Sequence, residues 1–152
     1  MIARRDGYEV DDDPERIDVD SAWGYLRGAY WSENVPREVV ARAIAGSLSF
    51  GLYAPDGSQV GFARAVTDRA TYAWIADVYV LERERGRGLG VWLMESLLGH
   101  PDLQGLRQIV LATRDAHGLY KRFGFVREGE WTMALRTDVA ELYGSPAEKL
   151  TE

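Results

Sequence analysis

The chain has 152 residues, a formal net charge of −6, 46% hydrophobic residues, five Trp, eight Tyr and no Cys. That length and composition describe one folded domain with a substantial core, not a disordered chain. The missing cysteines exclude disulfides, thiolate metal sites and a cysteine nucleophile, the acidic balance argues against a nucleic-acid surface, and no apolar run approaches the ~20 residues that span a bilayer.

In chain order, Tyr8–Asp12 reads as a first strand broken by Asp13-Pro14. Asp20 and Ser21 are candidate N-caps for a helix through Ala22–Ala29. The loop Tyr30-Trp31-Ser32-Glu33-Asn34-Val35 follows, and Pro36 suits the first turn of a helix ended by Gly46. The period then changes. Leu48–Tyr53 and Gln59–Thr67 flank the turn Pro55-Asp56-Gly57 as a hairpin, and Thr71–Leu81, rich in β-branched and aromatic residues, adds a third strand. Leu89, Leu93 and Leu97 form the stripe of a helix stopped by Gly99-His100-Pro101. Gln108–Thr113 is a short strand, Asp115 a candidate cap for a helix through Tyr120 and Phe123, and Trp131–Arg136 a last strand. Residues 138–152 read as a polar tail with one helical turn near Val139–Tyr143. No repeat or linker divides the chain, so the expectation is a single α/β or α+β domain over 1–152, with a mixed, mainly antiparallel sheet and about four helices.

Arg85-Gly86-Arg87-Gly88-Leu89-Gly90 lies between a strand and a helix. Its glycines let backbone amides approach a ligand, and the helix start adds unpaired N–H groups and a positive dipole end, so the loop reads as an anion cradle. It is not a Walker A loop, because Gly90 is followed by Val91, nor a dinucleotide fingerprint, because its spacing is GxGxG and antiparallel strands precede it. A tight turn with solvated arginines is the bland alternative. Asp77 is the only carboxylate inside the apolar strand Trp74–Leu81 and therefore needs a partner or a job.

About thirty residues beyond the loop, Tyr120-Lys121-Arg122-Phe123-Gly124-Phe125 places a tyrosine before a Gly-Phe stop. Together with Arg85-x-x-Gly88-x-Gly90, and in this order of elements, it resembles the GNAT superfamily of acyl-CoA-dependent N-acyltransferases over nearly the whole chain. The resemblance implies a strand that splays from its neighbour at the cofactor. Acetyl-CoA would be the cosubstrate, its pyrophosphate held by Arg85, Gly86, Arg87, Gly88, Leu89 and Gly90 and its pantetheine arm by the main chain of Val78 and Val80. It implies Tyr120 as the acid that protonates the departing thiolate, and direct transfer to a small-molecule or peptide amine with no acyl-enzyme and no metal.

Asp77 is a candidate general base, with an ion pair to an arginine such as Arg64 as the equal alternative; Trp31 and Glu33 are candidates for the acceptor pocket. Where the family often has Asn, this chain has Thr113, and His117 falls on the solvent side of its helix. The N-terminus lacks a signal-peptide core, so a cytoplasmic protein is expected, without a membrane or nucleic-acid partner and with a homodimer compatible. A catalytically silent acyl-CoA-binding or regulatory module is the competing reading.

Overall fold

A computed structural model describes residues 2–144. Five helices and eight strands are formed among them, in two compact units: residues 2–66 with 75–99, and residues 67–74 with 100–144.

In the first unit, β1 (Ile2–Arg5), β2 (Tyr8–Asp11), β3 (Leu48–Tyr53) and β4 (Gln59–Thr67) are neighbours in that order, followed by β5 (Tyr72–Val80), whose first residues belong to the other unit. The ladders are antiparallel, with Ala3 opposite Val10, Val10 opposite Leu52 and Phe50 opposite Ala63. The strand expected at Tyr8–Asp12 is thus the second one. Ile2–Arg5 was not expected to be a strand, since IARR shows no alternation and its burial is almost uniformly low; pairing through Asp6-Gly7, both at positive φ, creates it.

Helix α1 is Val19–Leu26, three residues earlier at each end than expected, because Asp18 is the cap and its carboxylate accepts from the Ser21 amide at 3.0 Å. Asp20 instead pairs with Arg37. Helix α2 spans Arg37–Ala45, with Pro36 as the N-cap residue just outside it and Gly46 as the C-cap. Both helices bury their apolar face in one cluster: Ile17, Ala22, Leu26, Val40, Ile44, Phe62 and Tyr79. Helix α3 is Leu89–Leu98 with Leu89, Trp92, Leu93, Met94 and Leu97 buried, a wider face than the leucine stripe alone.

In the second unit the order is β5, β6 (Gln108–Ala112), β8 (Thr132–Arg136), β7 (Val126–Arg127). The parallel β5–β6 ladder covers Tyr72–Trp74 opposite Gln108–Val110, and β8 runs antiparallel to both β6 and β7. Helix α4 is His117–Lys121 and α5 is Val139–Tyr143. Asp115 does not cap α4. Ala116 occupies the cap position with no side-chain cap bond, and Thr113 Oγ1 accepts the Ala116 amide just before the helix at 2.9 Å. His117 is half-buried with Nε2 enclosed, rather than on the solvent side. The expected polar tail is described as far as Gly144; its remainder, 145–152, lies outside the described residues.

Candidate active site

The anion loop begins where a 3₁₀ turn, Glu82–Glu84, ends at Arg85. Gly86 has φ +82° and Gly88 φ +74°, a left-handed region that costs an L side chain energy, and Gly88 is the N-cap residue of α3. A Cβ added at Gly86 or Gly90 would meet nothing within 4 Å. Glycine is therefore not needed there to fit protein atoms, and the space remains open to a ligand. The first-turn amides of the ten-residue α3 lack intrahelical acceptors, and they border that space with the positive end of the helix dipole. This donor set fits a pyrophosphate.

The arginine side chains of the loop are committed to protein. Arg85 donates from Nε to the Val80 carbonyl at 3.2 Å and from Nη2 to the Tyr25 hydroxyl at 3.3 Å. Arg87 lies 3.6 Å from the Glu84 carboxylate, which also accepts the Tyr8 hydroxyl at 2.6 Å. That bond to a carboxylate raises the Tyr8 pKa, because the phenol must stay protonated to donate. An anion in the loop would thus be held mainly by backbone. One lone pair of the Val80 carbonyl, expected to be free for a ligand, is already taken by Arg85.

Strand β5 departs from regular geometry at Asp77, whose φ is +56°. A non-glycine residue in the left-handed region within a strand is strained, and its surroundings must hold it there. Two bonds do so. Trp31 Nε1 donates to Oδ1 at 2.9 Å, and Arg64 Nε donates to Oδ2 at 2.7 Å. Arg64 Nη1 also donates to Ser47 Oγ at 3.1 Å. Of the two readings of Asp77, the geometry supplies the ion pair with Arg64. Both carboxylate oxygens are thus engaged by protein donors.

Aromatic contacts join the loop to this cluster. Tyr25, bonded to Arg85, stacks on Tyr79 at 3.9 Å between centroids and lies 6.4 Å from Trp31. Trp31 meets Tyr30 edge-on at 5.0 Å, and both rings are exposed, 42% and 47%. Glu33 is exposed and makes no ion pair among the described residues. The first unit therefore brings together Trp31, Asp77, Val78, Val80 and Arg85–Gly90. Tyr120 belongs to the second unit, 8% exposed with its ring 6.1 Å from Phe125. Tyr25 and Arg5 carry no sequence signal for these contacts: Tyr25 is one aromatic on a short helix, and Arg5 lies on a strand without alternation.

A profile of the Acetyltransferase (GNAT) family matches residues 12–125, and the chain belongs to that family. A GNAT-family protein of Xanthomonas campestris is 45% identical, with a TM-score of 0.77 over 80% of this chain and 85% of that one. A Gibberella zeae protein classed as an acetyltransferase is 30% identical over 138 residues, 76% of this chain and 77% of its own. A shorter stretch of 57 residues, 35% of this chain and 33% of the other, is 39% identical to the L-methionine sulfoximine/L-methionine sulfone acetyltransferase of Pseudomonas aeruginosa. A GNAT acetyltransferase of Elizabethkingia anophelis with acetyl-CoA bound shares the fold at 12% identity, with a TM-score of 0.65 over 88% of this chain and all of that one.

Proposed function

We propose that this protein transfers the acetyl group of acetyl-CoA directly to an amine nitrogen. The observation that carries the donor half is the loop at Gly86 and Gly88: two left-handed glycines opening onto the start of α3, with nothing near Gly86 or Gly90 to fill the space a ligand would need. The family supports acetyl transfer, the Elizabethkingia protein is one that binds acetyl-CoA, and the Pseudomonas relative is named for acceptors that carry an amine.

Acetyl-CoA supplies an activated carbonyl whose leaving group is a thiolate. Arg85–Gly90 would hold its pyrophosphate, and the remaining main-chain groups of Val78 and Val80 its pantetheine arm. Asp77 keeps unused lone pairs on both oxygens, and its role here is to orient the acceptor nitrogen, not to take its proton. The aromatic loop at Trp31 forms the wall beside it. In the transfer, the free amine forms the C–N bond, the C–S bond breaks with its electrons going to sulfur, nitrogen loses one proton to water and sulfur gains one. Tyr120 is assigned as the donor of that last proton. Such general-acid help is typically worth ~10²–10⁴-fold.

Two measurements test this reading. Acetyl-CoA at a hundred times its dissociation constant should stabilise the fold by ~2.7 kcal/mol. Thiol release from acetyl-CoA should then depend on an added amine. Stabilisation without release by any amine class would instead describe a binding module.

A further inference from the structure

The charges around Asp77 are arranged for more than a simple amine. Arg64 and Asp77 side chains are only 18% and 14% exposed, and they face each other at 2.7 Å. Of Arg64's five N–H donors, one meets Asp77 and one meets Ser47. Nη2 has no partner among the described residues and is not among the enclosed unpartnered atoms, so it remains reachable from outside. Asp77 is bonded once on each oxygen and can accept more. A mostly buried pair thus presents one free cationic edge beside free anionic lone pairs.

We propose that the acceptor is a zwitterion, an α-amino acid or a molecule with the same adjacent amine and carboxylate, and that Arg64 Nη2 reads its carboxylate while Asp77 receives its amine. This rests on the amine-acetylation reading above. The electrostatic argument is one of cancellation. A plain ammonium near this pair is attracted by Asp77 and repelled by Arg64, and the two interactions largely cancel. A molecule carrying both charges a few ångströms apart lies head to tail across the pair and gains from both. Its amine, once deprotonated, is still held by hydrogen bonding to Asp77. The exposed rings of Trp31 and Tyr30 beside the pair suit an acceptor with an apolar or aromatic side chain. The strain at Asp77 agrees with a binding role, because the left-handed turn is what sets its carboxylate between Trp31 and Arg64.

The test compares thiol release from acetyl-CoA with L-phenylalanine, L-phenylalanine methyl ester and phenethylamine, each rate corrected for its free-amine fraction. The expected kcat/KM is at least tenfold higher for the amino acid than for either analogue. Arg64→Gln should collapse that preference to near parity, and Arg64→Lys should restore part of it, while acetyl-CoA affinity holds. Equal or better use of the ester and phenethylamine by the wild-type protein overturns the carboxylate reading and leaves acetyl transfer standing. So does an Arg64→Gln variant that slows all three acceptors by one common factor, the signature of a purely structural arginine. Absence of thiol release with every amine class, even though acetyl-CoA binds, overturns both readings.

Discussion

Arg5 reaches the carbonyl of Gly88 from β1, with Nη2 at 3.3 Å, and its guanidinium lies over the Trp92 ring at 5.0 Å. The same carbonyl accepts the Trp92 amide at 3.1 Å, so Arg5 contacts both partners of the bond with which the glycine turn becomes α3. The strand that supplies it was the one least visible in the sequence.

Arg5→Ala is expected to weaken acetyl-CoA binding about fivefold, the equivalent of ~1 kcal/mol for one partly exposed hydrogen bond and cation–π contact, with little change in melting temperature. Gly88→Val should abolish binding, because a β-branched residue is strained at φ +74°. Calorimetric titration with coenzyme A measures both. An unchanged affinity in Arg5→Ala would mean that the Trp92 amide alone positions the Gly88 carbonyl.

Tyr120→Phe keeps the ring against Phe125 and removes one oxygen. Turnover should fall ~10²-fold or more, while the dissociation constant of acetyl-CoA stays within twofold. Steady-state kinetics paired with binding separates the two effects. A kcat that survives the substitution would remove Tyr120 from the mechanism.

Gly51 is constrained by packing against Tyr53. A Cβ there would come within 2.5 Å of the Tyr53 ring carbon that bears the hydroxyl. That ring cannot swing aside freely, since its hydroxyl donates to the Arg16 carbonyl at 3.1 Å and the Arg16 guanidinium covers it at 3.8 Å. Gly51→Ala should cost ~1–3 kcal/mol in denaturant unfolding. Adding Tyr53→Leu, which clears the space, should make the loss from Gly51→Ala much smaller.

Tyr53 also sets an alkaline limit. Burial pushes its pKa up from 10.0 to about 12. Because the folded value lies above the unfolded one, the stabilisation is complete below pH 10 and is lost as the pH rises from 10 towards 12. The melting temperature should fall across that window, and less steeply in Tyr53→Phe, which starts lower through loss of its bond to Arg16. Parallel slopes in thermal scans would place the sensitivity on other tyrosines.

Legibility in the sequence followed the range of the interaction involved. Strands β3 and β4 and helix α3 were readable to the residue, because alternation, the Pro55-Asp56-Gly57 turn and an apolar stripe closed by glycine are signals local in the chain. Caps were harder. Asp18 rather than Asp20 caps α1, and α4 follows Ala116 with no side-chain cap although Asp115 precedes it, because only the path of the backbone decides which polar residue reaches the first amides.

By itself, the sequence determined the family, the fold class and the place of the glycine turn before α3, since glycine content and helix starts act over a few residues. The tertiary structure alone decided the character of Asp77. Trp31 and Arg64 lie 46 and 13 residues away in the chain, and no local pattern could announce that they would hold opposite oxygens of one carboxylate. It likewise tied Arg85 to Tyr25 and Arg5 to Gly88, 60 and 83 residues apart. Side-chain hydrogen bonds are satisfied within about 3 Å in space, whatever the distance along the chain.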